Sequence, residues 1–134
     1  MTEKDHVLSA NLEFYRAFTT QDLAAMEALW ARGLPVSCVH PGWAPLRDRE
    51  AVMQSWRDIL ANPDAPRLMC HEEDASLYGE LAVVTCEEDL GTGTLIATNI
   101  FAKEDGAWRM VHHQAGPLVM QQPRHRSPPS RPLH

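Results

Sequence analysis

Cysteine is scarce and odd in number: the 134 residues hold 3, at Cys38, Cys70 and Cys86, with no Cys-x-x-Cys pair. A disulfide framework needs an even set and a zinc ribbon needs paired thiolates, so neither is expected. The three read as small buried apolar residues in a reducing compartment. No apolar run approaches the roughly 18 residues that span a bilayer. The start, Met1-Thr-Glu-Lys-Asp-His6, is polar where a secretory leader would carry an apolar core. No membrane partner and a cytoplasmic location are therefore expected. Positive charge is also short: the net charge is −6, and all 18 acidic residues lie in residues 1–120. An acidic body disfavours nucleic acid. Missing too are a phosphate-cradling glycine loop, a dinucleotide fingerprint, a nucleophile elbow and a His-x-x-x-His pair. No cofactor and no metal site are expected.

What is present suffices for one domain with a real core, drawn at residues 1–120. Residues 121–134 hold four of the ten prolines and three arginines with no acid, which predicts a disordered appendage. A tail of that composition could alternatively dock on an acidic partner.

Leu8, Leu12 and Tyr15, with Phe14 and Phe18 alongside, recur at helical spacing and predict a helix near 6–18. Thr19 or Thr20 can cap a second helix carrying Leu23, Met26 and Trp30, closed by Gly33 and Pro35. Val36-Ser-Cys-Val-His40 reads as a short strand before the Pro41-Gly42 turn, and Asp48 caps a third helix with Val52, Trp56 and Ile59 on one face. After Pro66 the period changes to 2. Four strands follow near 67–78, 81–90, 94–103 and 107–116, and their short turns force antiparallel neighbours. The fold class is α+β: three N-terminal helices packed on a strongly curved antiparallel sheet, forming a cone with an internal pocket.

The last hairpin carries the functional signal. Asp105-Gly106 suits a type I′ turn, which would pair Glu104 with Ala107. Counting outward puts Phe101 opposite Met110, Asn99 opposite His112 and Ala97 opposite Gln114, all on one face. A surface apolar near the turn and polar further in is the usual composition of a small-molecule site. His113 and Arg109 then fall on the opposite face with Thr98, Ile100 and Val111, a face assigned to subunit contacts. Glu72-Glu-Asp74 and Glu87-Glu-Asp89 flank the Gly79-Glu80 turn, with His71 opposite Glu88. They read as a solvated, edge-protecting charge patch, or as facing carboxylates for acid-base work or a cation.

The order of elements, with Phe14-Tyr-Arg-Ala-Phe18, Asp22, Leu29-Trp30, His40-Pro-Gly-Trp43, Ala97-Thr-Asn-Ile-Phe101 and Trp108-Arg-Met-Val-His-His113, resembles the SnoaL-like branch of the nuclear transport factor 2-like superfamily over about residues 6–118. The resemblance implies a cone-shaped fold, a pocket between helices and sheet, and a homodimer through the outer sheet face. Where family members often end the last strand in His-x-His, Gln114 stands in place of the second histidine. The superfamily spans isomerases, cyclases, dehydratases and multimerising domains, so the fold does not select among them. The Asp and Tyr set of ketosteroid isomerases has no counterpart on the Asn99 face.

Two residues are candidate catalysts. His112 could act as a general base oriented by Asn99, or be a core histidine hydrogen-bonded to it. His40 either rims the cavity or is an exposed turn residue. Asn99, Gln114, Trp43, Trp56, Phe101 and Met110 are the candidate ligand contacts, the tryptophans as walls for a flat molecule, although core packing also explains Trp56. Cys38, His40 and His112 are the alternative metal set, without a ligand spacing to support it. The expected activity is a cofactor-independent isomerase, cyclase, dehydratase or hydrolase step on a small, largely apolar carbonyl compound. The alternative is a non-catalytic ligand-binding or dimerising module.

Overall fold

Thr2 starts the first helix. Its hydroxyl accepts the Asp5 amide at 3.1 Å while the Asp5 carboxylate accepts the Thr2 amide at 3.0 Å, a reciprocal cap for two otherwise orphaned donors. The structure, a computed structural model, describes residues 1–119, so the expected appendage at 121–134 lies outside the described residues. Helix α1 (Glu3–Thr19) buries Val7, Asn11, Phe14 and Tyr15. The expected stripe is rotated: Leu12 is 63% exposed, and polar Asn11 takes an inward position. At the end of α1 the Thr20 hydroxyl donates back to the Arg16 carbonyl at 2.7 Å, and Gln21 takes a left-handed φ of 56°. Helix α2 (Leu23–Leu29) is therefore capped not by Thr19 or Thr20 but by Asp22, whose carboxylate accepts the Ala25 amide at 3.0 Å. Helix α3 (Arg49–Ala61) starts at Asp48 as expected and buries Val52, Met53, Ser55, Trp56 and Leu60.

Strands β1 (Ser37–Val39), β2 (Met69–Tyr78), β3 (Leu81–Asp89), β4 (Thr94–Glu104) and β5 (Ala107–Pro117) form one sheet in the order β1-β5-β4-β3-β2. The expected meander supplies four of them. β1 adds to its edge in parallel with β5, which makes the sheet mixed. Asp105 and Gly106 both have positive φ, 55° and 79°, the backbone that a type I′ turn requires. The helices cover one face, where Ala82, Val84, Ala97, Phe101 and Met110 form the floor of the core. On the other face Ile96 is 41% exposed, and Thr98 and Ile100 are partly exposed.

Two bulges move the inward side chains from where strict alternation puts them. Between β4 and β5 the pairing runs as expected from Glu104 with Ala107 to Phe101 with Met110. Ile100 then pairs with His112, which leaves Val111 as an extra residue, and Asn99 pairs with His113 and Ala97 with Ala115. A one-residue slip turns every later side chain to the other face. His113, not His112, therefore shares the inner face with Asn99, and His112 and Gln114 turn outward. Between β2 and β3, Cys70 pairs with Glu88 and His71 with Glu87, but Asp74 pairs with Thr85. Glu72, with φ of 59°, and Glu73 together oppose Cys86. His71 thus faces Glu87 rather than Glu88. Glu72, Glu73 and Asp74 are exposed as a charge patch would be, whereas Glu88 is only 2% exposed.

Candidate functional site

The bulge at Val111 delivers His113 to the core beside Asn99, with Nδ1 2.6 Å from the Asn99 amide oxygen. An amide oxygen only accepts, so His113 carries its proton on Nδ1 and leaves Nε2 unprotonated. The Asn99 amide nitrogen donates to the Asn11 oxygen at 2.8 Å and the Tyr15 hydroxyl at 3.1 Å. Tyr15 in turn donates to Glu88 Oε2 at 2.6 Å. A chain of donors thus runs from His113 through Asn99 and Tyr15 to a carboxylate, and all of its members are buried. Helical spacing puts Asn11 and Tyr15 one turn apart on α1, above β3 and β4, where both can reach Asn99.

A second imidazole faces the first. His40 follows β1, and its Nε2 lies 2.9 Å from the Ser55 hydroxyl on α3. Ser55 spends its own proton on the Val52 carbonyl at 2.7 Å, so it accepts from His40, and His40 Nδ1 is the unprotonated nitrogen. The two ring centroids are 6.4 Å apart. Trp56 stands 4.8 Å from His40 and 6.0 Å from His113, and Phe14 lies 4.8 Å from His113. Trp43, 46% exposed, lies edge-on against His40 at 4.7 Å and covers it from solvent. The Trp56 indole N–H is buried without a hydrogen-bond partner among the described residues.

Burial sets the charges here. It lowers His40 to a pKa of about 4, and it lowers His113 to about 3, helped by the neighbouring His40 and His112. Both rings are neutral at pH 7. Burial raises Glu88 above the usual carboxylate range, partly offset by the Tyr15 hydroxyl, and burial beside Glu88 raises Tyr15, which stays a donor. Cys38 Sγ lies 3.6 Å from His40 Nε2 and 4.0 Å from its unprotonated Nδ1, but burial pushes its thiol up to about 12, so no thiolate forms at neutral pH.

The structure brings together Asn99, His40 and Trp56, with Trp43 at the rim. Phe101 and Met110 pair across the strands as expected and are fully buried in the core floor. His112 is not with them: it lies on the outer face, 2.7 Å from the Ser37 hydroxyl, and Gln114 there is exposed. The Cys38, His40 and His112 set is accordingly not assembled, and among the described residues no three potential ligands converge on a metal position. Sequence reasoning missed His113, Asn11, Tyr15, Ser55 and Glu88. The alternation Ala82, Val84, Cys86, Glu88 already marks Glu88 as inward. Nothing in Val111-His-His113 marks the extra residue.

Three helices on one face of a mixed sheet, with polar residues buried between them, define the nuclear transport factor 2-like class of α+β proteins. Residues 7–120 match the family model of the SnoaL-like domain, and the chain belongs to that family. It is similar to a solved structure from Streptomyces avermitilis assigned as an NTF2-like dehydratase, at 30% identity and a TM-score of 0.80 over 88% of this chain and 97% of that one. A protein from Thiobacillus denitrificans, assigned as a calcium/calmodulin-dependent protein kinase type II association domain, is 33% identical, with a TM-score of 0.69 over 81% of this chain and 92% of that one. The F-box protein SKIP8 of Arabidopsis thaliana is 27% identical over 116 residues, 85% of this chain. The chain spans 50% of the length of that relative. Among the described residues no helix is long and apolar enough to cross a membrane.

Proposed function

We propose that this chain binds a small, uncharged, mainly apolar molecule between α1, α3 and the sheet, entering past Trp43 and held by His40 and His113. The observation that carries the reading is the pair of buried neutral imidazoles, each anchored by one nitrogen and each leaving the other unprotonated, that of His40 4.0 Å from the Cys38 sulfur. Two acceptors in an aromatic enclosure select a ligand with a hydroxyl or N–H donor and reject an anion. A flat ring sandwiched between the imidazoles would need about 7 Å, two van der Waals gaps of about 3.5 Å. The ligand therefore approaches from the Trp43 side and displaces that indole.

A second reading, elimination of water from such a ligand, is favoured by the 30% identity to the assigned dehydratase. One imidazole would take a proton while the other delivers one to the departing hydroxyl. With pKa values of about 3 and 4, forming either imidazolium at pH 7 costs about 4 to 5 kcal/mol at 1.36 kcal/mol per unit. Binding asks for no such step and is the better reading.

The test is a thermal-shift and calorimetric panel pairing each donor with a donor-free analogue: 1-naphthol with naphthalene, cyclohexanol with cyclohexanone. The donor compounds should stabilise the protein saturably, and His40→Phe and His113→Phe should each abolish the preference. Equal effects of both members of a pair, or a preference that survives both substitutions, would refute binding at this site. Enone absorbance appearing from a β-hydroxyketone would establish the second reading.

A further inference from the structure

The three cysteines look alike in sequence, and the structure separates them. Cys38 is sealed beside His40. Cys70 and Cys86 meet across β2 and β3: Cys70 pairs with Glu88, and Cys86 lies two residues along β3 on the same inward face. The bulge is what lets them meet. It puts the exposed Glu72 and Glu73 where a direct partner of Cys86 would stand, so no inward side chain of β2 fills that place. The interaction of the Cys70 thiol with the Cys86 sulfur, helped by burial, pushes Cys70 up, and it holds Cys86 below the ordinary thiol range. From α1, the Asn11 side-chain amide donates to Cys70 Sγ at 3.8 Å, and the Tyr15 hydroxyl lies 3.3 Å from Cys86 Sγ. Cys70 is partly exposed, whereas Cys86 is 3% exposed, so solvent reaches the pair through Cys70. All three cysteines are free thiols.

We propose that Cys70 and Cys86 form an oxidisable dithiol, a modification site at which hydrogen peroxide converts the pair to a cross-strand disulfide. The Cys86 sulfur, as thiolate, attacks one peroxide oxygen. The O–O bond breaks, a sulfenic acid forms on Cys86, and the departing hydroxide takes up the thiol proton as water. The Cys70 sulfur then attacks the Cys86 sulfur, the S–S bond forms, and the sulfenic oxygen leaves as a second water with the Cys70 proton. Two thiols lose two electrons, and one peroxide gains them. Asn11 and Tyr15 touch this pair and also hold Asn99, so the oxidation acts one hydrogen bond away from the partner of His113.

The experiment treats the native full chain with hydrogen peroxide, alkylates the remaining thiols, and reads intact mass and peptide map. The expected product is a monomer lighter by about 2 Da, the two thiol hydrogens, before alkylation. Its cross-linked peptide should join Cys70 to Cys86, with Cys38 alkylated only after unfolding, and dithiothreitol should reverse the change. The disulfide should persist in Cys38→Ala. In Cys70→Ser it should be replaced by a sulfenic acid on Cys86, heavier by about 16 Da in the intact mass. Cys86 carried on to sulfinic acid beside a free Cys70, a cross-link containing Cys38, or bridges between chains would each overturn the proposal.

Discussion

Lowering the pH from 7 to 5 should cost the fold about 4 kcal/mol through His40 and His113 alone. In the unfolded chain each imidazole titrates near 6.5, whereas burial holds them at about 4 and about 3 in the fold. Below pH 6.5 the unfolded state therefore binds two protons that the folded state refuses. The stability contributed by these neutral rings is complete above 6.5 and falls as the pH drops, by about 1.36 kcal/mol per unit for each ring. At pH 5 the fall is about 2 kcal/mol per ring. It stops growing for His40 near pH 4 and for His113 near pH 3, where the folded rings protonate. Glu88 acts in the opposite sense: its raised pKa means that acidification relieves a burial penalty, which offsets part of the loss. Carboxyls held low in the fold, such as Glu104 on the Arg32 and Gly33 amides, lose their contribution only at pH values below this window. Against a typical total of about 5 to 15 kcal/mol, the effect is large. Urea titrations at pH 7, 6 and 5, at one protein concentration, measure it directly. His113→Gln should remove about half of the slope. A stability that stays level from pH 7 to 5, or a slope unchanged in His113→Gln, would show that the rings are not buried and neutral as argued.

Asn99→Ala should destabilise by about 2 to 4 kcal/mol in urea, because it leaves the His113 Nδ1–H and the Asn11 oxygen buried and unpaired. Trp43→Ala should speed modification of His40 by diethyl pyrocarbonate while changing stability by less than about 1 kcal/mol, since the indole covers that ring but lies half in solvent. On the outer sheet face we expect a homodimer at micromolar concentration by sedimentation. Ile100→Glu should shift it to monomer or insoluble material by placing a charge beside Ile96 and Thr98.

The fold was legible because it rests on periodicity and on turn chemistry that act locally. Asp48 caps α3 as its sequence position suggests, Asp105-Gly106 makes the type I′ turn, and the change of period after Pro66 coincides with the start of the meander. The misreadings within the helices share one cause. Asn11 is polar, so counting apolar residues rotates the buried stripe of α1 toward Leu8 and Leu12, although Asn11 is the inward residue. Thr20 is a good capping residue, but its hydroxyl is committed to closing α1, which leaves the next cap to Asp22. In both places a side-chain hydrogen bond overrides the simple pattern, across elements for Asn11 with Asn99 and within the helix end for Thr20 with Arg16.

The site was half legible for the same reason. Asn99, His40, Trp43 and Trp56 lie where alternation and turn position put them, and Phe101 still faces Met110, because the register is correct up to that pair. One extra residue then exchanges the roles of two adjacent histidines. His112 has a polar partner on the outer face, Ser37 of the parallel strand, and His113 has one inside, Asn99. In an unbulged strand His113 would face outward, and His112 would stand where the structure holds His113. The bulge resolves this through β1: its parallel pairing sets Ser37 opposite His112 and Cys38 opposite His113, so the edge strand and the central strand agree on which imidazole enters. Most buried polar groups are partnered, and here Asn99, His40 and Tyr15 each find a partner on a different element: Asn11 and Tyr15 on α1, Ser55 on α3, Glu88 on β3. Period and propensity describe one element at a time. A chain of hydrogen bonds that joins a helix to three strands is written only in the way those elements pack together.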